Sequence, residues 1–168
     1  ELWQVDAYSG EIISATQVDN DDSCWGYVAE TEGYLYASVM KSSAPRTAID
    51  KKTRFTYVDS DYRSERPLVT SRELRKIKPD GSLRWGYAAR GVILNGTISL
   101  NEQQVVFVEA RSKKCLEHET DRIPIATLME DAYLVRLSSQ TGEITWEVPL
   151  KWEGAQNVLY SQMANDKI

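Results

Sequence analysis

The side chains that could hold a metal gather in two short stretches. The first is Asp19-Asn20-Asp21-Asp22-Ser23, with Glu30 beyond it. Counted from Asp19, the oxygens of Asp21, Ser23 and Glu30 fall at positions three, five and twelve of a calcium loop of the EF-hand kind. Position six of such a loop needs glycine for its sharp turn and here is Cys24, and the flanks alternate like strands rather than helices. The stretch therefore reads as an acidic surface loop. The second stretch sets Cys115 beside His118, between Glu117 and Glu119. A thiolate and one imidazole are two ligands where zinc takes three or four. His118 is the only histidine of the chain, so neither a triad nor an imidazole cluster can be built, and it reads as a solvated loop histidine. Neither a nucleophile elbow nor a phosphate-binding loop is present, and the carboxylates form no pair with acid–base spacing. The sequence thus assigns no catalytic, cofactor-binding or metal-binding residue. Asn95-Gly96-Thr97 is a glycosylation sequon that reads as a turn, and the two cysteines, Cys24 and Cys115, are expected as separate, mostly buried thiols.

Charge singles out one more region. The stretch from Lys41 to Lys78 holds eleven of the twenty basic residues and five acids, in a chain whose net charge is −5. Within it Lys51, Lys52, Arg54, Phe55 and Tyr57 combine cations with aromatic rings. A projecting loop of this kind raises encounter rates with an acidic partner, and its rings add contact area. The plainer reading is a solvated loop whose charges keep it out of the core. No nucleic-acid module is recognisable, so the partner expected of this loop is a protein. No stretch approaches the roughly 20 apolar residues that cross a bilayer as a helix.

The elements around these residues are strands. Five Trp, nine Tyr and many short Val/Ile/Leu runs suit pleated, half-buried surfaces. Three segments share one pattern of strand, tight turn and strand: Leu2–Ile12, Leu74–Trp85 and Leu134–Trp146. Their turn glycines stand at Gly10, Gly81 and Gly142, where a tight hairpin needs a positive φ. Between them lie further hairpins, Gly26–Ala29 with Tyr34–Val39 and Thr97–Leu100 with Val105–Val108, and a third copy begins at Val158–Met163. The unbroken apolar run Val105–Val108 predicts a strand covered on both faces. Two insertions separate these strands, 41–73 and 111–131; in the second, Ile123–Met129 predicts a short helix starting near Pro124 that packs on a blade edge.

The three hairpins resemble the repeat of the pyrroloquinoline quinone (PQQ)-like propellers, the quinoprotein dehydrogenase-type fold, whose pattern is Asp-x-x-Thr-Gly-x-x-x-Trp. Asp6, Ser9 and Gly10 match its start, with Ser14 in place of the Trp; Gly81 and Trp85 match its end, with Asp80 in place of the Thr; Thr141, Gly142 and Trp146 match, with Ser138 in place of the Asp. The resemblance implies an all-β section of a β-propeller over 1–168, with about two complete antiparallel blades and partial blades at both ends. It implies that Trp85 and Trp146, with Gly10, Gly81 and Gly142, dock neighbouring blades, and that the remaining blades belong to the same parent chain. It also implies a bacterial protein, periplasmic or secreted. PQQ enzymes of this type carry adjacent cysteines over the cofactor and Glu, Asn and Asp ligands for calcium beside a catalytic Asp; none of these is matched here. The expectation is a non-catalytic segment acting as a binding or scaffold surface. The alternative is part of a PQQ-dependent dehydrogenase, with PQQ and calcium held by blades of the parent outside this chain.

Overall fold

A computed structural model describes residues 1–19, 21–41, 67–152, 161–164 and 167. The protein is all-β and antiparallel. Two strands, β1 (Leu2–Val5) and β2 (Ile12–Thr16), form a hairpin of their own. The next four, β3 (Ser23–Thr31), β4 (Tyr34–Lys41), β5 (Pro67–Ile77) and β6 (Leu83–Leu94), pair in chain order as one meander. A second meander follows: β7 (Ser99–Leu100), β8 (Gln104–Ala110), β10 (Ala132–Ser138) and β11 (Ile144–Pro149). Among the described residues no sheet closes on itself.

The meanders are stitched into a single sheet by a short pairing of β6 with β8, Val92 opposite Ala110 and Ile93 opposite Glu109. Strand β6 reaches across because it bulges: Glu73 faces Ala88, while Ser71 faces Ile93. Gly91 lies in the bulge, where a Cβ would sit 2.0 Å from the carbonyl oxygen of Ala110. Only glycine lets the two backbones come so close.

The turn between β3 and β4 is a two-residue hairpin turn with positive φ at both Glu32 and Gly33, the twist that matches antiparallel strands. Strand β5 begins at Pro67 rather than at Leu74, so 67–73 belong to the sheet and not to the first insertion. The second insertion carries two single-turn helices, α1 (Lys113–Leu116) and α2 (Ile125–Leu128), around β9 (Arg122–Pro124). Pro124 caps α2 from just outside, its φ of −56° suited to helix entry. Strand β9 extends the sheet beyond β5, pairing Ile123 with Leu68.

The core has two parts. One gathers Tyr36, Leu74, Trp85, Tyr87, Ile93, Phe107 and Leu137. The other gathers Val92, Leu94, Val108 and Ala110 with Cys115, Ile123 and Leu128 of the insertion. Alternation along β8 sends Phe107 into the first and Val108 into the second, so every residue of β8 is buried. The insertion was expected on an edge; it also covers a face, and that cover allows an unbroken apolar strand.

Candidate functional site

The three glycine hairpins are one structure repeated. Each has a bulge at the same place in its second strand, where Ile13, Arg84 and Thr145 are the extra residues opposite Gln4–Val5, Lys76–Ile77 and Arg136–Leu137. The pairs that precede the bulge are Gln4 with Ser14, Lys76 with Trp85 and Arg136 with Trp146. The outer two turns are closed alike: Asp6 N donates to Glu11 O and Gly10 N to Asp6 O, and Ser138 N donates to Glu143 O and Gly142 N to Ser138 O. Their side chains cap alike too. Asp6 Oδ1 accepts from the amides of Tyr8 and Ser9, and Ser138 Oγ from those of Gln140 and Thr141. Serine thus does the aspartate's work, the hydroxyl standing in for a carboxylate oxygen. The amides of Ser9 and Tyr8 hold the Asp6 carboxyl below its usual range. The middle turn is tighter: Lys78 N donates to Ser82 O, and Asp80 Oδ1 caps Ser82 N.

One hairpin grips the next. Lys76 Nζ and Trp85 Nε1, from the β5–β6 hairpin, both donate to the carbonyl oxygen of Ser139 in the β10–β11 turn, each at 2.9 Å. The indole lies against Gly142, where a Cβ would come within 2.7 Å of Trp85 Cδ2. Tyr36 meets Trp85 edge-on at 5.9 Å, and the Lys76 amine rests 4.2 Å from the centre of the Tyr34 ring. Lys76 is 4 % exposed, its charge matched by a carbonyl and aromatic faces. Ser139 is anchored from its own meander, its amide donating to Gln103 O and its hydroxyl to Glu102 O. Gly81 gives the control. The hairpin before it has Ser14 in the tryptophan's position, and nothing lies within 4 Å of a Cβ built there. Trp146 is half-buried and joins neither core cluster of the described residues.

Three buried polar groups lock the elements together. Glu109 is fully buried where β6 crosses to β8; its carboxylate accepts from Gly91 N at 2.8 Å, Tyr87 Oη at 2.7 Å and Arg111 at 3.2 Å. Burial, and then the hydrogen bond to Glu109, push the Tyr87 hydroxyl far above its ordinary pKa. Arg111 also pairs with Glu147 at 2.9 Å, lowering the pKa of that carboxyl, and lies 4.2 Å from the Tyr133 ring. Asp121, equally buried, ties the insertion to the sheet: it accepts from Lys41 N and pairs with Arg72 at 2.8 Å. Ser38, Ser71 and Asn95 hydrogen-bond to one another beside Gly26, and Ser161 reaches Thr97 O further along.

The residues considered for metals do not converge. Asp19 pairs with Arg75 at 2.8 Å, whereas Glu30 accepts from Gly33 N in the β3–β4 turn. The Cys115 thiol is buried between Ser112 Oγ and Thr127 O, and burial raises its pKa; the His118 ring bonds to Thr120 instead. Both cysteines are free, Cys115 buried and Cys24 half-buried. Among the described residues no three His, Cys, Asp or Glu side chains cluster as metal ligands, and no helix is long and apolar enough to cross a membrane. Asn95–Thr97 forms a single 3-10 turn, its Asn95 amide packed against Gly26. Lys51, Lys52, Arg54, Phe55 and Tyr57 lie outside the described residues. Glu109, Asp121 and the reach of Lys76 went unseen in the sequence. Only Glu109 left a trace, as a charge interrupting the apolar run of Val105–Ala110.

Comparison with protein-family models, with curated proteins and with solved structures found no match.

Proposed function

We propose that the chain is a section of a β-propeller of the quinoprotein repeat type, and that it serves as a non-catalytic binding or scaffold surface in a bacterial envelope or secreted protein. One observation carries this reading: the hairpin with its fixed bulge and capped glycine turn occurs three times, and the tryptophan of one copy seats on the glycine turn of the next. Two four-stranded meanders in chain order support blades as the repeating unit. The polar groups at the joints are spent on each other, as a framework requires. Glu109, Asp121 and Lys76 each bond to backbone or to a neighbouring side chain. Lys51, Lys52 and Arg54 then supply the surface for an acidic protein partner, by charge and by the rings of Phe55 and Tyr57.

The test is enzymatic and binding at once. The chain, and any longer polypeptide found to carry it, are mixed with PQQ, calcium and a panel of alcohols and sugars, and dye reduction is followed. No turnover is expected. Substrate-dependent reduction by such a longer polypeptide would overturn the non-catalytic reading in favour of a PQQ-dependent dehydrogenase. Charge reversal at Lys51, Lys52 and Arg54 is expected to release proteins retained by the wild-type chain in pull-downs. Retention of all of them sinks the docking role of that loop.

A further inference from the structure

The joint between the β5–β6 and β10–β11 hairpins has two halves, and the molecule carries a spare copy of each. The donor half is a cation paired across the strands with a tryptophan, Lys76 with Trp85. Its counterpart in β10–β11 is Arg136 with Trp146, in the same register and beside the same bulge. The acceptor half is a six-residue turn, Ser138 to Glu143, with a carbonyl in its second position and a glycine in its fifth against which the indole lies. Its counterpart is Asp6 to Glu11, closed by the same two backbone bonds, with Ala7 in the place of Ser139 and Gly10 in the place of Gly142.

Both spare halves are open among the described residues. Nothing lies within 4 Å of a Cβ on Gly10, and Ala7 is exposed. Trp146 and Arg136 are each only half-buried. The charges also match. The β1–β2 hairpin carries Glu1, Asp6 and Glu11 and no basic residue, and it would receive the Arg136 cation.

We propose that copies of this chain associate head to tail, the Arg136–Trp146 face of one seating on the Ala7–Gly10 turn of the next. The two faces differ, so the contact is heterologous: it makes rings where the rotation closes and filaments where it does not. The proposal rests on the joint seen within the chain and is independent of the cofactor reading, but it competes with flanking repeat units for the same two halves.

Sedimentation equilibrium of the purified chain from about 1 µM to about 1 mM, the range of weak protein contacts, is the test. The weight-average mass is expected to climb past that of a dimer. Two variants cut opposite halves. Trp146→Ala removes the donor, and Gly10→Ala sets a Cβ where the indole must lie. Gly81→Ala is the control, since it strains a turn outside the spare joint. Each cut variant alone is expected to stay monomeric, the control to associate like wild type, and an equal mixture of the two cut variants to form a 1:1 pair and nothing larger. Circular dichroism checks folding, and Trp146→Ala alone decides the matter should Gly10→Ala fail to fold. A wild-type chain that stays monomeric throughout overturns the proposal, leaving the open halves to flanking repeat units or another protein. Association unchanged in Trp146→Ala overturns it as well.

Discussion

Replacing Trp85 with alanine should be strongly destabilising, and the burial of its indole says by how much. The indole is 8 % exposed and fills the space between Tyr36 and the Gly142 turn. Emptying such a site costs about 3–5 kcal/mol, part transfer and part cavity, because the surroundings relax only partly. The lost hydrogen bond adds little. The Ser139 carbonyl keeps its bond from Lys76, so no acceptor is stranded, and the net loss is about 1 kcal/mol or less. A total near 4 kcal/mol would remove a large fraction of the roughly 5–15 kcal/mol that holds a typical domain. Trp146→Ala is the internal standard: the same chemistry in the same register, but half-buried and outside both core clusters, so about 1–2 kcal/mol. Both are measured by urea unfolding at micromolar chain, followed by far-ultraviolet circular dichroism because the substitutions alter fluorescence. With a slope of about 2 kcal/mol per molar urea, Trp85→Ala should lower the midpoint by about 2 M and Trp146→Ala by under about 1 M. Equal shifts, or a Trp85→Ala shift under about 0.5 M, would refute the claim that the Trp85–Gly142 contact is a principal joint.

The same joint can be probed from its other side. Gly142→Ala and Gly10→Ala place a Cβ at the same φ of +74°, a backbone penalty of about 1–2 kcal/mol in each, but only the first drives it into the Trp85 ring. Gly142→Ala should therefore melt well below Gly10→Ala in a thermal scan. Glu109→Ala strips acceptors from Gly91, Tyr87 and Arg111 together and should cost about 3–5 kcal/mol, with Glu109→Gln costing less because its one carbonyl oxygen still accepts from Gly91 N while its amide faces the Tyr87 hydroxyl; chemical denaturation ranks them. The pKa of Glu147, lowered chiefly by its hydrogen bond to Arg111, sits below its ordinary 4.5, so its stabilisation is complete above that value and drains away as pH falls through the lower folded value. Unfolding midpoints should be flat above about pH 5 and drop below about pH 4, less steeply in Glu147→Gln. Asp121→Ala frees Arg72 and the Lys41 amide from the insertion and should speed tryptic cleavage at Lys113 and Lys114 several-fold.

The repeat was legible because its signals are local. A glycine at a fixed offset from alternating residues announces the hairpin, and the positive φ at Gly10, Gly81 and Gly142 follows from the tightness of the turn. Even a difference between the copies can be read, since Ser138 caps as Asp6 does. What sequence withheld are pairings of residues far apart. Nothing near Lys76 says that its amine lies on the Ser139 carbonyl sixty-three positions on, nor does anything near Asp121 mention Lys41. Such contacts are decided by how units stack. For the same reason the start of β5 was missed: Pro67–Thr70 lack strong alternation and become strand because β9 and the far end of β6 pair with them.

The crossing of β6 changes what the repeat can do. A meander that touches its neighbour only through side chains can tilt against it. Here the Val92–Ile93 segment hydrogen-bonds into the second meander, Gly91 lets the Ala110 carbonyl close in, and Glu109 clasps the Gly91 amide from beneath. The Trp85–Gly142 contact holds the outer hairpins at a second, separate place. Two attachments far apart resist bending in a way one cannot. A surface laid over both meanders therefore keeps its shape. Among the described residues the β1–β2 hairpin is not paired into the large sheet, and it meets that sheet through Trp25 Nε1 donating to Thr16 O and through Arg75 with Asp19. Its amides should exchange with deuterium well before those of β8, whose every residue is buried. Equal protection of β2 and β8 in a monomeric sample would mean that the hairpin is as firmly fixed as the sheet, and that this mechanical distinction is wrong.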